Sequence, residues 1–209
     1  MKILVADDHA IVREGVKQIL KTLPEVCQID EASEGDEALT LINKGAYDLV
    51  ILDISMPGKN GLDLLQTIHQ RRMPTRVLVL SFHPQEQYAV RAFKMGASGY
   101  LSKDSAFEEL ELAIRKIAAG DKYISAAFAE KLFFNDPDSR GQNPHDTLSE
   151  REFQVMLLLA KGKTVYEIAE EIFISDKTVS TYRARIMEKM GMKRNTDLTF
   201  YAIKHRLIE

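Results

Sequence analysis

Short apolar runs and helical stretches alternate along the first 120 residues. KILVA, YDLVIL, RVLVL and SGYLS are rich in Val, Ile and Leu and lack a clear alternation of faces. Runs of that kind read as strands of a parallel sheet buried on both faces. The pattern predicts strands near 2–6, 26–31, 47–52, 76–80 and 98–102. Between them lie stretches at helical spacing near 9–22, 35–43, 61–71, 84–95 and 105–119. Such repeats predict a doubly wound, five-stranded α/β domain over 1–120, with right-handed crossovers covering both faces of the sheet.

Past Gly120 the pattern changes. Residues 121–146 hold one short helical segment, DKYISAAFAEKLFF, and then NDPDSRGQNPHD, whose Pro, Gly, Asn, Asp and Ser read as an exposed linker. From Thr147 the strand-like runs stop. LSEREFQVMLLLAKG, TVYEIAEEIFI, SDKTVSTYRARIMEKMG and RNTDLTFYAIKHRLIE each space apolar residues helically, which predicts a small four-helix domain over 147–209. Thr164 and Ser175 suit helix N-caps, and Gly162 and Gly191 suit helix stops.

Composition narrows the class. With 45% hydrophobic and 28% charged residues the chain is an ordinary globular one. MKILVADDHA offers too short an apolar run for a signal peptide and no stretch approaches a membrane span, so a cytoplasmic location without membrane attachment is expected. The single cysteine, Cys27, cannot close an intrachain disulfide, and its apolar setting suggests a core thiol. Net charge is −3 over 1–120 and +2 over 147–209, so the C-terminal part permits nucleic acid without demanding it.

Chemistry gathers where the strands end. Asp7 and Asp8 follow the first run, Asp53 the third, Ser81 the fourth and Lys103 the fifth. In an open parallel sheet the carboxyl ends of the strands line one crevice, so three carboxylates, a hydroxyl and an ammonium should meet there. Carboxylates so close repel unless a hard divalent cation joins them, and Mg²⁺ suits such an oxygen site. Each residue alone has a plainer role, as helix cap, turn former or solvated charge. Together, in this order, they point to phosphate chemistry at Asp53.

With Tyr100 and the run Asp53-Ile54-Ser55-Met56-Pro57-Gly58-Lys59-Asn60-Gly61, this set closely resembles the receiver domain of two-component response regulators over 1–120. The resemblance implies that Asp53 accepts a phosphoryl group from a sensor histidine kinase. It implies that Asp8, Asp53 and the Ser55 carbonyl bind Mg²⁺, with Asp7 acting through water. Ser81 and Lys103 would hold phosphoryl oxygens, and Ser81 with Tyr100 would form the switch. One departure stands out: Asp104 follows Lys103 where the family often has proline.

From Leu148 to about Ile208 the chain resembles the LuxR-type helix-turn-helix that the NarL/FixJ group joins to receivers. Glu150, Glu167, Ile168, Ala169, Ile174, Ser175, Thr178, Val179 and Gly191 stand where that pattern expects them, and Tyr182 replaces a usual His. Val165–Ile172 would be the first helix of the motif, Phe173–Ser175 the turn and Asp176–Met190 the recognition helix. Val179, Tyr182, Ile186 and Met190 recur at helical spacing and should face the core. Lys177, Ser180, Thr181, Ala184, Arg185 and Glu188 then lie opposite, with Arg183 and Lys189 on the flanks. Ser180, Thr181 and Ala184 are assigned to base edges, and Lys177, Arg183, Arg185 and Lys189 mainly to phosphates, with Thr178 in the same surface.

The resulting expectation is a DNA-binding response regulator rather than a turnover enzyme. It would bind promoter repeats as a homodimer when phosphorylated, with RNA polymerase a further candidate partner. Two rivals differ in class. A haloacid-dehalogenase-type phosphatase would carry D-x-D after its first strand and a cap insertion, whereas here the nucleophile candidate follows the third strand and no cap is present. A vestigial receiver acting without phosphate would have lost some of the chemical positions, and all are intact.

Overall fold

The computed structural model describes residues 1–82, 85–134, 143–205 and 207–208 of the chain. They fall into two compact units, Met1–Asn135 and Asp136–Glu209. In the first, β1 (Lys2–Ala6), β2 (Gln28–Ala32), β3 (Leu49–Leu52), β4 (Arg76–Ser81) and β5 (Gly99–Ser102) form one all-parallel sheet in the order β2-β1-β3-β4-β5. Helices α1 (Ala10–Lys21), α2 (Gly35–Lys44), α3 (Gly61–Gln70), α4 (Gln85–Lys94) and α5 (Ala106–Ala118) connect and follow the strands. The expected doubly wound α/β fold is present.

The central strands are buried on both sides, as their unbroken apolar runs require. Ile3 and Val5 join one core with Val16 and Leu20 of α1 and Leu110, Ile114 and Ile117 of α5. Leu4 on the alternate face of β1, Val50 on β3 and Val79 on β4 are equally buried. The second strand departs from this rule. It begins at Gln28 rather than Val26, reads QIDEA, and buries only Ala32 fully. As an edge strand it pairs with β1 alone, and charges there keep the open edge from recruiting another chain. Cys27, just before that edge, is exposed and not a core thiol; its Sγ lies 3.2 Å from the Met1 carbonyl oxygen.

A further helix, α6 (Ala126–Phe134), closes the first unit. Residues 135–142, most of the expected joint, lie outside the described residues. The second unit starts with a 3-10 turn, Pro144–Thr147, and holds α7 (Glu150–Ala160), α8 (Val165–Glu171), α9 (Asp176–Met190) and α10 (Asn195–Lys204). Helix α7 packs on α9 and α10, and α8 on α9. Thr164 and Ser175 cap α8 and α9 as expected, accepting from the Glu167 and Thr178 amides. Gly191 ends α9 at φ 65°, a left-handed conformation that glycine adopts without steric cost.

The turn between α8 and α9 has a similar geometry without glycine. Phe173 sits at φ 54°, while the Ile174 N–H reaches back to the Ala169 carbonyl at 3.0 Å. This is a Schellman closure carried by a bulky aromatic residue, a conformation costing about 1–2 kcal/mol outside glycine. Among the described residues no helix is long and apolar enough to cross a membrane.

Candidate functional site

The sheet's hydrogen bonding runs one residue past its strands, and that overrun builds the crevice. Asp7 N–H donates to the Ala32 carbonyl (3.1 Å), Asp53 N–H to Ala6 (2.8 Å) and Lys103 N–H to Ser81 (2.9 Å). Ladder bonds therefore set the backbone of all three residues. The carboxylates flank the gap between β1 and β3, where the direction of winding reverses and such sheets bind ligands.

The loop carrying Asp53 is clamped from two sides. Gly61 N–H donates to the Ile54 carbonyl at 3.0 Å, and a Cβ on Gly61 would lie 1.9 Å from the Asp53 carbonyl oxygen. Gly35 N–H donates to the Pro57 carbonyl at 3.1 Å, and a Cβ there would lie 1.7 Å from the Lys59 carbonyl oxygen. Asn60 caps α3 by accepting from Leu62 N–H at 2.8 Å. Two close backbone approaches and one cap thus hold the residues leading away from Asp53.

Charge at the centre is concentrated and dry. Asp7 and Asp53 are 2% exposed and Lys103 4%. Lys103 Nζ lies 2.7 Å from both Asp7 Oδ2 and Asp53 Oδ2, and Ser55 N–H donates to Asp53 Oδ1 at 3.3 Å. Burial pushes the Asp53 carboxyl up to about 6; the Lys103 ammonium pulls it back and the Asp7 carboxylate adds to the push. The exposed Phe82 ring lies 5.0 Å from Lys103 Nζ, covering the ammonium from the solvent side.

Ser81 and Tyr100, the expected switch pair, are both fully buried, on the adjacent strands β4 and β5. The Asp104 side chain turns back on the Ser102 hydroxyl at 3.2 Å, so its charge stays exposed at the rim.

The donor set fits a hard divalent cation. Ligand atoms of Asp7, Asp8, His9 and Asp53 all lie within 4.8 Å of one another. The buried Asp7 Oδ2 and Asp8 Oδ1 accept no well-formed hydrogen bond, and their nearest nitrogens are Lys103 Nζ and His9 Nδ1, each at 2.7 Å. Carboxylate oxygens with spare lone pairs are what such a cation completes. His9 belongs to this cluster as well, a member not singled out from the sequence. Its place directly after Asp7-Asp8, at the start of α1, is the signal that was available.

On the recognition helix, Val179, Ile186 and Met190 are buried and Tyr182 half-buried, as the spacing predicts. Lys177, Ser180, Thr181, Ala184, Arg185 and Glu188 are exposed. Thr178 serves the cap, its hydroxyl 2.8 Å from that of Ser175. The two flanking cations are engaged within the unit. Arg183 Nε donates to Asn195 Oδ1 at 2.9 Å, and Lys189 Nζ pairs with Glu152 Oε2 at 2.6 Å. Glu152 is buried and also accepts from the Ser149 N–H at 2.7 Å, in the capping box that starts α7. The sequence contained that box, as Ser149 three residues before Glu152, but not the partner from α9.

A doubly wound domain whose crevice pairs a buried aspartate with lysine, followed by a helix-turn-helix unit, defines a class. The chain belongs to the response regulators that join a receiver to a LuxR-type domain, the NarL/FixJ type. The family model described as "Response regulator receiver domain" matches residues 3–115, and that of "Bacterial regulatory proteins, luxR family" matches 146–202. The response regulator UvrY of Escherichia coli K12 is 35% identical over 99% of this chain and 95% of its own. The oxygen regulatory protein NreC of Staphylococcus carnosus is 35% identical with both chains fully covered. RcsB of Salmonella enterica serovar Typhimurium, solved bound to promoter rprA with phosphomimetic BeF3-, is 25% identical, with a TM-score of 0.66 over 96% of this chain and 97% of that one.

Proposed function

We propose that the chain is a two-component transcription regulator in which phosphorylation of Asp53 by a histidine kinase controls dimerisation and promoter binding. The observation that carries this reading is the buried Lys103 ammonium shared between Asp7 and Asp53. Phosphoryl transfer depends on positioning and charge neutralisation. An Asp53 oxygen attacks phosphorus as the bond to the donor imidazole breaks, and Lys103 faces the charge on the incoming oxygens. Asp7, Asp8, Asp53 and the Ser55 carbonyl would hold Mg²⁺, which when bound supplies further neutralisation between carboxylates and phosphoryl group. Ser81 turns its hydroxyl toward the phosphate, and Tyr100 follows. The chain accepts one group and loses it slowly to water, so it is not a turnover enzyme.

The DNA face is the exposed side of α9. Ser180, Thr181 and Ala184 meet base edges, and Lys177 and Arg185 meet phosphates beside the capped N-terminus that Thr178 maintains. Arg183 and Lys189 reach phosphate only by leaving Asn195 and Glu152. One such unit, carrying a net charge of +2 over 147–209, releases few counterions and binds weakly alone. Two copies on half-sites about one helical turn apart add their contacts, which makes phosphorylation-driven dimerisation the effective control. The regulator works in the cytoplasm, with RNA polymerase a further partner.

The test is incubation with acetyl phosphate, with and without a chelator, followed by mass location of the phosphate and footprinting of repeat DNA. Label confined to Asp53, abolished in Asp53→Asn and by the chelator, is expected to accompany tighter, cooperative footprints. Label elsewhere, or footprints indifferent to it, would point to a receiver that acts without phosphate.

A further inference from the structure

The chain that follows α5 stays on the sheet. Tyr123 forms a parallel bridge with Gly99 at the outer edge of β5. Its N–H donates to the Ser98 carbonyl at 2.9 Å, and its carbonyl accepts from Tyr100 N–H at 3.2 Å. Two residues on, Ser125 starts α6, its hydroxyl accepting from Phe128 N–H at 3.3 Å. The backbone of the switch residue Tyr100 thus touches the segment that leaves the receiver.

One side chain joins these parts. Gln85, the first residue of α4, donates from Nε2 to the Tyr100 carbonyl at 3.2 Å and accepts on Oε1 from the Ser125 hydroxyl at 2.7 Å. The carbonyl can only accept, so the amide orientation is set by the network. Ser125 spends its one proton on Gln85 and a lone pair on Phe128. Tyr100 and Ser125 are buried, so both bonds are made away from water. The Gln85 amide presents a donor on one atom and an acceptor on the other; a glutamate carboxylate loses the first and methionine both.

We infer that Gln85 is a positioning residue that couples the Ser81–Tyr100 switch to the chain leaving the receiver, by holding the cap of α6 against β5 in one state of α4. Gln85 stands four positions after Ser81. Any shift of α4 along β5 pulls one end of the amide off its partner, so Ser125 and the first turn of α6 respond in the same step. The coupling rests on the phosphoacceptor reading above, but the tether itself does not.

Hydrogen exchange read by mass spectrometry on the full chain, with and without Mg²⁺ and beryllofluoride, tests both. Without the phosphate mimic, Gln85→Ala is expected to speed exchange at 122–129 by about tenfold, the effect of losing one or two buried bonds, and to leave 2–6 and 49–52 protected. In wild type the mimic should change exchange at 53–61 and at 122–129. In Gln85→Ala it should change only the first. Ser125→Ala removes the same link from the other side and decides the matter if Gln85→Ala folds poorly, while Ser125→Thr keeps the hydroxyl and should behave as wild type. A wild-type response at 53–61 without one at 122–129, or a wild-type-like response in both alanine variants, overturns the coupling. No wild-type response in either region overturns the phosphoacceptor reading along with the coupling.

Discussion

The crevice at the strand ends and the face of α9 carry similar side chains in opposite surroundings. In the crevice, Lys103 is nearly sealed from solvent and touches two carboxylates at 2.7 Å each. On α9, Lys177 and Arg185 stand exposed on a helix held from its other side. A buried charge has few partners and steep penalties, so its position in sequence and its role coincide. An exposed charge is free to be taken up by whatever the fold brings near. Lys189 and Arg183 show this, since both occupy flanking positions suited to DNA and both are engaged by groups from other helices.

The contrast breaks most sharply at Gly61. Its Cβ would sit 1.9 Å from the Asp53 carbonyl, a backbone atom that cannot step aside. Gly61→Ala is expected to destabilise the receiver by about 3 kcal/mol or more and to weaken beryllofluoride binding, read by denaturant titration and by fluoride-dependent protection of 53–61. An unchanged midpoint would mean that the acceptor loop is far looser than its clamps suggest.

Next comes Glu152. Burial raises its carboxyl, but the Lys189 ammonium and the Ser149 N–H and hydroxyl outweigh that and hold it below its ordinary value of 4.5. A depressed carboxyl binds fewer protons folded than unfolded, so its contribution is complete above about pH 4.5 and fades as pH falls through the lower folded value. Glu152→Gln should therefore cost the 147–209 unit about 1–2 kcal/mol at pH 7, with the gap to wild type narrowing as pH falls below the carboxyl's ordinary value of 4.5 in thermal melts. A gap that does not narrow at all as the pH falls would place the cost in packing.

The same pair sharpens the division of labour on α9. Lys177→Ala and Arg185→Ala should each weaken DNA binding by about 1 kcal/mol and lower the salt slope by about one, with little change in melting. Lys189→Ala should do the reverse, costing mainly stability. Equal salt-slope losses for all three would return Lys189 to the DNA face. The smallest effect is expected at the turn, where Phe173→Gly relieves the left-handed strain and should raise stability by about 1 kcal/mol or less.

Much of this molecule is readable along its chain. The strands of the parallel sheet and the ends of α9 follow from apolar period, caps and a terminal glycine, all local rules. The crevice is legible too, because residues just past parallel strands converge however the sheet is ordered. What the chain does not show locally is what meets what. Apolar content alone brought Val26 and Cys27 into the second strand, but an edge strand keeps charge and starts later. Glu152 and Lys189 lie 37 positions apart, and Gln85 and Ser125 lie 40 apart. Nothing in the spacing of either pair marks it as a contact. Local preference decides which elements form and where polar groups stand on them. Only tertiary packing decides which of those groups leave water together, and a buried hydrogen bond exists only where two distant elements bring donor and acceptor into the same dry space.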